Sequence, residues 1–324
     1  NGKVVNPDRR HSNHAFYGPG YTIAHPGIFP HSPRNSDYTI QEWLQFDYRA
    51  GWGTDDFEDR LAEGEIEATF PEIWESIDDR YAARDIVAQN LKALEYKREL
   101  RRQVMNNGSN ISGPFFRRKG EQRAGKALSF HYLVENINPG HNLPSGSLGA
   151  QPELWLNVAL TGPDGNRIWE SGYIDSHGDM ADLHSLDVAA GTIEHDDQLF
   201  NLQTKFLTTN VKGTDREMYL PVNLDQDQLP FIRPGATPNS VMNHPPFVRM
   251  EGRSLPPLSE RKAKYRVPGK LLKKPGTYKL SVRLRSRAEP IYFMNFVGAT
   301  EDMKQSMNEW MVDIHPYTVE FELK

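Results

Sequence analysis

Residues 127–146 read ALSFHYLVENINPGHNLPSG, and residues 154–160 read LWLNVAL. Both ends of this stretch are short runs of aliphatic and aromatic residues, which is typical of β-strands. Between them, a Pro-Gly pair at 139–140 and a Pro-Ser-Gly triplet at 144–146 require the backbone to turn twice. The stretch therefore predicts two strands joined by a stiff loop that holds His141 at the rim of a sheet.

An imidazole held on a stiff loop suits a metal ion or a haem iron, because such a site needs little reorganisation to bind. The spacing of residues around His141, taken alone, favours the other interpretation, an exposed histidine in an ordinary turn. The residues alone leave both interpretations open.

Similar strand-like runs recur along the chain at 167–174, 262–268, 277–287, 291–297 and 317–323. The sequence Pro-Asp-Gly-Asn at 163–166 is a hairpin turn signal. Several antiparallel strands at such spacing favour a sandwich. We predict an antiparallel β-sandwich domain over 111–324, with a helix at 302–310 and a long proline-rich excursion at 196–260 that covers the sheet. The polar residues at 106–125 are predicted to link it to the part before.

The part before the sandwich, 39–110, has helical patterning. Thr39 or Asp37 is suited to cap a first helix, and a second short helix is expected at 55–61. A long helix is predicted between Pro71 and the Asn-Asn-Gly at 106–108. Its apolar residues at helical spacing are Ile73, Ile77, Tyr81, Ala88, Leu91 and Leu94.

Residues 1–38 are rich in proline, glycine, histidine and aromatic residues without periodicity. Such a coil cannot bury a core by itself, so we expect an extended arm that lies against another surface. Together with the helical segment and the sandwich, it gives a predicted α+β fold class.

The composition argues against several classes of partner and against a membrane span. The formal net charge of -5 over 324 residues favours neither nucleic acid nor an anionic membrane surface as a partner. The mean hydropathy is -0.67, and no apolar run approaches the ~20 residues needed for a membrane span. The chain begins at Asn1 rather than methionine, and we interpret it as a processed protein or the product of cleavage from a longer precursor.

The chain contains no cysteine. This excludes disulfides, iron–sulfur clusters, thiolate metal sites and cysteine nucleophiles, while an oxidising compartment remains permitted. Neither a Gly-x-Ser-x-Gly elbow, a His-Glu-x-x-His pair nor a Walker loop is present, so the chain is not expected to be an enzyme by itself.

The densest group of metal-ligand side chains is DSHGDMADLH at 175–184. On an extended backbone, Asp175, His177 and Asp179 would lie on one side, where their oxygens suit calcium. His177 together with His184 would suit zinc or copper. A solvated acidic loop after a strand is the alternative.

Eight short blocks of the chain form a recognisable set: HSNHAFYG at 11–18, GHNLPSG at 140–146, LWL at 154–156, DG at 164–165, WESG at 169–172, AKYRVP at 263–268, GTY at 276–278 and VRLRSR at 282–287. Together they resemble the C-terminal β-domain of periplasmic multihaem c-type cytochromes. In that family the histidine of the Gly-His-Asn-Leu/Phe-Pro-Thr/Ser-Gly loop is commonly a distal axial haem ligand. The N-terminal block is similar to the His-x-Phe-x-Gly segment that supplies another axial histidine there.

The resemblance implies that His14 and His141 are axial haem ligands. His11, His25 and His31 are secondary candidates, for a second haem or a propionate. Because the chain lacks the Cys-x-x-Cys-His motif of the family, haem c would have to be attached through cysteines of a partner chain.

The implied function is that of an electron-transfer subunit, or cleaved portion, of a multihaem cytochrome c complex in the periplasm or outside the cell. Such a chain would assemble with a haem-bearing cytochrome chain. The alternative is a periplasmic β-sandwich that binds calcium or copper at Asp175, His177, Asp179 and His184, or another protein, without haem. A carbohydrate-active enzyme on a sandwich has only the fold class in its favour.

Overall fold

The computed structural model describes residues 18, 25–28, 33–117, 122–144, 152–182, 184–203, 205–208, 218–219, 248–251, 253–296 and 298–324. Helices dominate the first third of the described chain and antiparallel strands the rest, so the fold is α+β, as the sequence predicts.

In the described part of the chain, three α-helices precede the sheets, and each begins at a hydroxyl side chain. Thr39 caps the first in a capping box with Glu42, Thr54 caps the second, and Ser76 caps the third. The helices are α1 (Ile40–Trp43), α2 (Asp55–Ala62) and α3 (Ile77–Gly108), with short 3-10 turns at Pro33–Asp37 and Glu72–Trp74. The long helix ends at 108, where its Asn-Asn-Gly sequence predicts.

The buried face of α3 differs from the prediction. Ile77 is 47% exposed and Ala88 is exposed, whereas polar residues lie inside. Arg80 pairs with the buried carboxylate of Glu58. The buried residues of the helix are Arg80, Ala83, Ile86, Val87, Asn90, Leu94, Arg101 and Met105. The spacing of apolar residues does not identify the buried face of α3, because polar residues with buried partners form part of that face.

The helical part has an aromatic core, and the described piece of the N-terminal arm belongs to it. Asn90 on α3 donates a hydrogen bond of 2.7 Å to the carbonyl oxygen of Pro26. Gly27 lies so close to Trp43 that a Cβ there would be 2.1 Å from the indole. The buried residues of this core are Trp43, Phe46, Trp52, Phe57, Trp74, Ala83, Ile86 and Val87.

Two antiparallel sheets form a sandwich-like arrangement. One has the strand order β1-β2-β9, and the other the order β11-β10-β3-β4, with β5 paired to β3. Their bounds are β1 Ser109–Phe116, β2 Leu128–Asn136, β3 Glu153–Thr161, β4 Arg167–Ser171, β5 Phe200–Asn201, β9 Glu260–Val267, β10 Gly276–Arg287 and β11 Val312–Leu323. A small third sheet joins β6 Lys205–Thr208, β7 Met218–Tyr219 and β8 Val248–Glu251.

The core lies between the two main sheets, and strand alternation produces it. In β2, Leu128, Phe130, Tyr132 and Val134 are buried, and they alternate with partly exposed residues. In β10, Leu280 and Leu284 are among the fully buried residues that pack in the same cluster. Burial of these side chains stabilises the sandwich by roughly 1.5–3 kcal/mol each.

Two elements differ from the sequence prediction. Strand β1 occupies part of the predicted linker, where it pairs with β2 from Ser109↔Asn136 onwards. The predicted strand at 291–297 is instead helix α5 (Ile291–Phe296), whose residues Ile291 and Met294 are buried three positions apart. A short apolar run is compatible with either a strand or a helix. Here a helix places Ile291 and Met294 on the same side, where both are buried.

The hairpin at 163–166 and the late helix are confirmed. The N–H of Gly162 donates to the carbonyl oxygen of Asn166, which closes the turn between β3 and β4. The remaining α-helices of the described residues are α4 (Leu186–Ala190) and α6 (Glu301–Glu309). Most of the excursion at 196–260 lies outside the described residues, as does most of the arm at 1–38. None of the described helices is long and apolar enough to cross a membrane.

Candidate functional site

His141 lies on an exposed loop that follows β2. Its backbone is held by two asparagines: Asn138 Oδ1 accepts hydrogen bonds from the N–H groups of Gly140 at 2.8 Å and His141 at 3.2 Å. The side chain of Asn136 donates to the carbonyl oxygen of His141 at 2.7 Å. We call residues 137–144 the His141 loop. Its stiffness, which the turn residues predict, comes from these Asx hydrogen bonds as well.

A second connection ties the His141 loop to the turn at 255–259. Buried Asn136 Nδ2 also lies 3.0 Å from the carbonyl oxygens of Leu255 and Pro256. Leu143 and Leu255 exchange two backbone hydrogen bonds of 2.8 Å. The loop is therefore anchored at both ends.

The imidazole of His141 itself is exposed. None of the described residues is hydrogen-bonded to its ring, whereas its backbone is fully engaged. A histidine in this state presents a ring nitrogen to solvent from a fixed backbone position. That arrangement suits a ligand to a metal that arrives from outside the chain.

His25, a secondary candidate, is in a different environment. Nδ1 accepts a hydrogen bond of 2.9 Å from the N–H of Gly27, so the proton is on Nε2, which lies 2.9 Å from the carbonyl oxygen of Phe46. Burial lowers the pKa of His25 to about 4, although the hydrogen bond to Phe46 opposes that shift. The ring packs against Trp43 and Tyr48.

An iron atom at His25 would have to replace one of these hydrogen bonds inside an aromatic core. The geometry of His25 is that of a structural histidine. The other histidines of the arm, His11, His14 and His31, lie outside the described residues, so their roles as haem ligands remain predictions.

Residues 175–179 form a tight turn, and the prediction of an extended backbone there is wrong. The N–H of Asp175 donates to the carbonyl oxygen of Asp179 at 2.8 Å, with Gly178 at φ +101 between them. The carboxylate of Asp175 accepts from the N–H groups of His177 and Asp179 at 2.9 Å and from Ser185 Oγ at 2.7 Å. Glycine permits the turn, and Asp175 consolidates it.

The predicted metal ligands are consequently not brought together. His184 stacks on Tyr292 with ring centroids 3.9 Å apart, while Asp175 serves the turn. Within the part of the chain that the structure describes, no group of three or more His, Cys, Asp or Glu side chains is placed to hold a metal ion.

Asp179 belongs instead to a buried charge cluster that sequence reasoning missed. Arg287, at the end of β10, donates to Glu153 Oε2 at 2.7 Å, to the carbonyl oxygen of Gly178 at 2.5 Å and to Asn308 Oδ1 at 2.6 Å. Both side chains of the Arg287–Glu153 pair are fully buried. The sequence did contain a signal for this pair. Glu153 stands at the start of one apolar strand and Arg287 at the end of another, and the antiparallel register places these two residues opposite one another.

Asp179 is 1% exposed and accepts a hydrogen bond of 2.9 Å from the N–H of Tyr292 at the start of α5. Burial, together with the nearby carboxylate of Glu153, raises the pKa of Asp179 to about 7, although Arg287 opposes the shift. One guanidinium thus lies near two buried carboxyl groups, and Asp179 takes up a proton as the pH falls below about 7.

A charged groove of about 480 Å³ lies where α3 meets β11 and α6. Its charges largely compensate one another: Arg285 binds Asp313 at 3.0 Å, and Arg98 lies 3.5 Å from Glu95. Arg98 also donates to the carbonyl oxygen of Met311, which fastens α3 to the sandwich. The groove is therefore explained as a packing seam between the helical part and the sheet.

Comparisons with known proteins give only distant likenesses. No protein-family model matches the chain, and no curated protein matches it. Among solved structures, a penta-haem cytochrome c552 from Thermochromatium tepidum matches with a TM-score of 0.36 and 13% identity, covering 68% of this chain and 41% of that one. An alkylpurine DNA glycosylase from Pseudomonas fluorescens, bound to DNA with an abasic-site analogue, matches with a TM-score of 0.21 and 11% identity, covering 89% of this chain and 68% of that one.

Both TM-scores lie below the level at which two chains share a fold. The chain spans less than half the length of the cytochrome.

Proposed function

We propose that this chain is an accessory part of an electron-transfer complex, which supplies His141 as an axial ligand to a haem c held by a partner chain. The observation that carries the proposal is the exposed imidazole of His141 on a loop anchored by Asn136 and Asn138. The Gly-His-Asn-Leu-Pro-Ser-Gly sequence at 140–146 supports it through its resemblance to the haem-ligating loop of multihaem cytochromes.

A neutral imidazole is the usual strong-field axial ligand of electron-transfer haems, and the haem supplies the redox chemistry when bound. This chain would contribute an imidazole that its backbone holds in a fixed position. Because the backbone at 136–143 is already fixed, little conformational entropy is lost when the ring binds. Because the ring is exposed, the iron does not have to enter the chain's own core.

In this proposal haem c is attached through cysteines of a partner chain, because these 324 residues contain none. The proposal therefore includes a haem-bearing partner in the periplasm or outside the cell, with the sandwich as a packing surface. His14 is proposed as a second axial ligand on the motif at 11–18 alone. The alternative of a calcium or copper site at 175–184 has no comparable support, because the carboxylate of Asp175 is occupied in its turn.

The experiment uses the purified chain and a haem c peptide. The peptide carries haem on two cysteines and one axial histidine, and it leaves the sixth coordination position of the iron to water. Titration with the chain should convert the ferric iron from high spin to low spin, as followed by visible absorption. His141→Ala should reduce the conversion at the same concentrations, and adding His14→Ala to that variant should remove what remains. His195→Ala removes another histidine, whose side chain is 38% exposed, and should leave the conversion unchanged.

A wild-type chain that leaves the iron high-spin throughout the titration contradicts the proposal. Equal conversion by the wild type and by His141→Ala contradicts the role of His141 and points to another histidine.

A further inference from the structure

Strand β9 (Glu260–Val267) forms one edge of its sheet. It pairs with β2 on one side, and no other strand of the described residues pairs with it on the other side. Its register with β2 runs from Glu260 to Val267 without a shift, so the ladder is regular. The open side of such a strand carries backbone donors and acceptors that can bind a further strand.

The backbone of Arg266 shows which groups of β9 point towards the open edge. Its N–H donates to Gln198 Oε1 at 2.6 Å, and Gln198 Nε2 donates to its carbonyl oxygen at 3.3 Å. One side-chain amide thus makes the two hydrogen bonds that a neighbouring strand would make. In a regular antiparallel ladder every second residue bonds towards the same side. The N–H and C=O groups of Lys264 and Lys262 therefore also point towards this edge.

The side chains of the same three residues form a basic row on the outer face of the sheet. Lys262, Lys264 and Arg266 are exposed, whereas the residues between them are buried. Alternate side chains of a strand lie about 7 Å apart on one face. In the described part of the chain, neither lysine has an ion-pair partner. Because the net charge of the chain is -5, this row is a local concentration of positive charge.

Lysines on an edge strand protect it from pairing with a second copy of the same edge, because like charges opposite one another are destabilising. They do not oppose a strand that carries carboxylates, since opposite charges in that position attract. The row ends at Glu260, which lies opposite Glu135 of β2. A segment with one acidic residue for each of the three cations, at alternate positions, therefore matches this edge in spacing and charge.

We infer that the open edge of β9 is a strand-addition site for an extended acidic segment of a partner protein. The backbone of that segment bonds to the N–H and C=O groups of Lys262 and Lys264. Its carboxylates lie opposite the basic row. In this mode of recognition, backbone pairing supplies affinity and the alternate side chains supply specificity. Binding at β9 requires neither haem nor His141.

The test uses the full chain and a short labelled peptide with blocked ends, in which valine and glutamate alternate in equal numbers. Fluorescence anisotropy gives the dissociation constant. Lys262→Glu combined with Lys264→Glu should raise it at least about tenfold, because two attractive cross-strand pairs become repulsive. Lys270→Glu combined with Lys273→Glu is the matched control. It changes the net charge equally at two exposed lysines outside β9, and it should bind like the wild type.

Two methylated peptides test the strand geometry without a change in the protein. The glutamates lie directly opposite the lysines, so their N–H groups point towards β9, and N-methylation of the glutamates should abolish binding. N-methylation of the valines removes the same number of N–H groups from the far edge of the peptide and should leave binding intact. The inference is overturned if the wild type does not bind the unmethylated peptide, if the two double variants bind equally, or if the two methylated peptides bind equally.

Discussion

Asp179→Asn should change how the stability of the protein depends on pH. Asp179 is buried beside Glu153, and its pKa is raised from 3.8 to about 7. In the unfolded chain the same carboxyl group ionises near pH 4. Between these two values the folded protein binds a proton at Asp179 that the unfolded chain does not bind.

The unfolding free energy therefore falls as pH rises through this window. This contribution is fully present below pH 4 and is lost as pH rises through the folded pKa near 7. Each pH unit within the window corresponds to about 1.4 kcal/mol, so the loss between pH 5 and pH 7 is about 2 kcal/mol. Asparagine has a similar shape, keeps an acceptor for the N–H of Tyr292 and does not ionise.

The assay is urea unfolding of the wild type and Asp179→Asn at half-unit steps from pH 5 to pH 8. The difference in unfolding free energy between the two should shift by about 2 kcal/mol in favour of the variant from pH 5 to pH 7. Asp85→Asn, which changes an exposed aspartate on α3, should show no such shift. A difference that stays constant with pH would refute the assignment of a proton to Asp179.

Three further outcomes follow from the packing. Arg287→Met leaves buried carboxyl groups without their cation and should therefore lower the unfolding free energy at pH 7 by about 3–5 kcal/mol, as measured by urea unfolding. A loss under about 1 kcal/mol would contradict the buried pair. The imidazole NMR signals of His25 should not shift with pH between pH 8 and pH 5.5, because the pKa of His25 in the folded protein is about 4. The lowered pKa stabilises the folded state above pH 6.5, and this stability is lost as the pH falls towards the folded pKa. Gly172→Ala should lower the melting temperature far more than Gly125→Ala, although φ is positive at both positions. A Cβ at position 172 would lie 2.2 Å from the carbonyl oxygen of Leu156, whereas no atom lies within 4 Å of a Cβ at position 125. Equal losses would contradict this close approach.

The strands that the sequence predicted well share a simple pattern. In β2, buried and partly exposed residues alternate strictly, so a period of two reveals both the strand and its inner face. β1 has the sequence SNISGPFF, which is polar with a Gly-Pro pair, and its strand conformation depends on pairing with β2. Local propensity does not contain that information.

The candidate site divides in the same way. The His141 loop was predictable, because its turn residues and its asparagines act within a few positions of one another. The pair Glu153 and Arg287 was not predictable, because 134 positions separate the two residues and only the pairing of β3 with β10 brings them together. The extended geometry predicted around Asp175 failed for a local reason, since its side chain closes a turn through Gly178.

The most direct test of the account is the electron paramagnetic resonance spectrum of the natively purified complex, with wild-type chain and with His141→Ala. We predict that haem c copurifies on a second, cysteine-bearing chain. In the variant, one low-spin ferric signal should be replaced by a high-spin signal. An identical spectrum in the two samples, or a chain that purifies without haem, would contradict the role of His141 as an axial ligand.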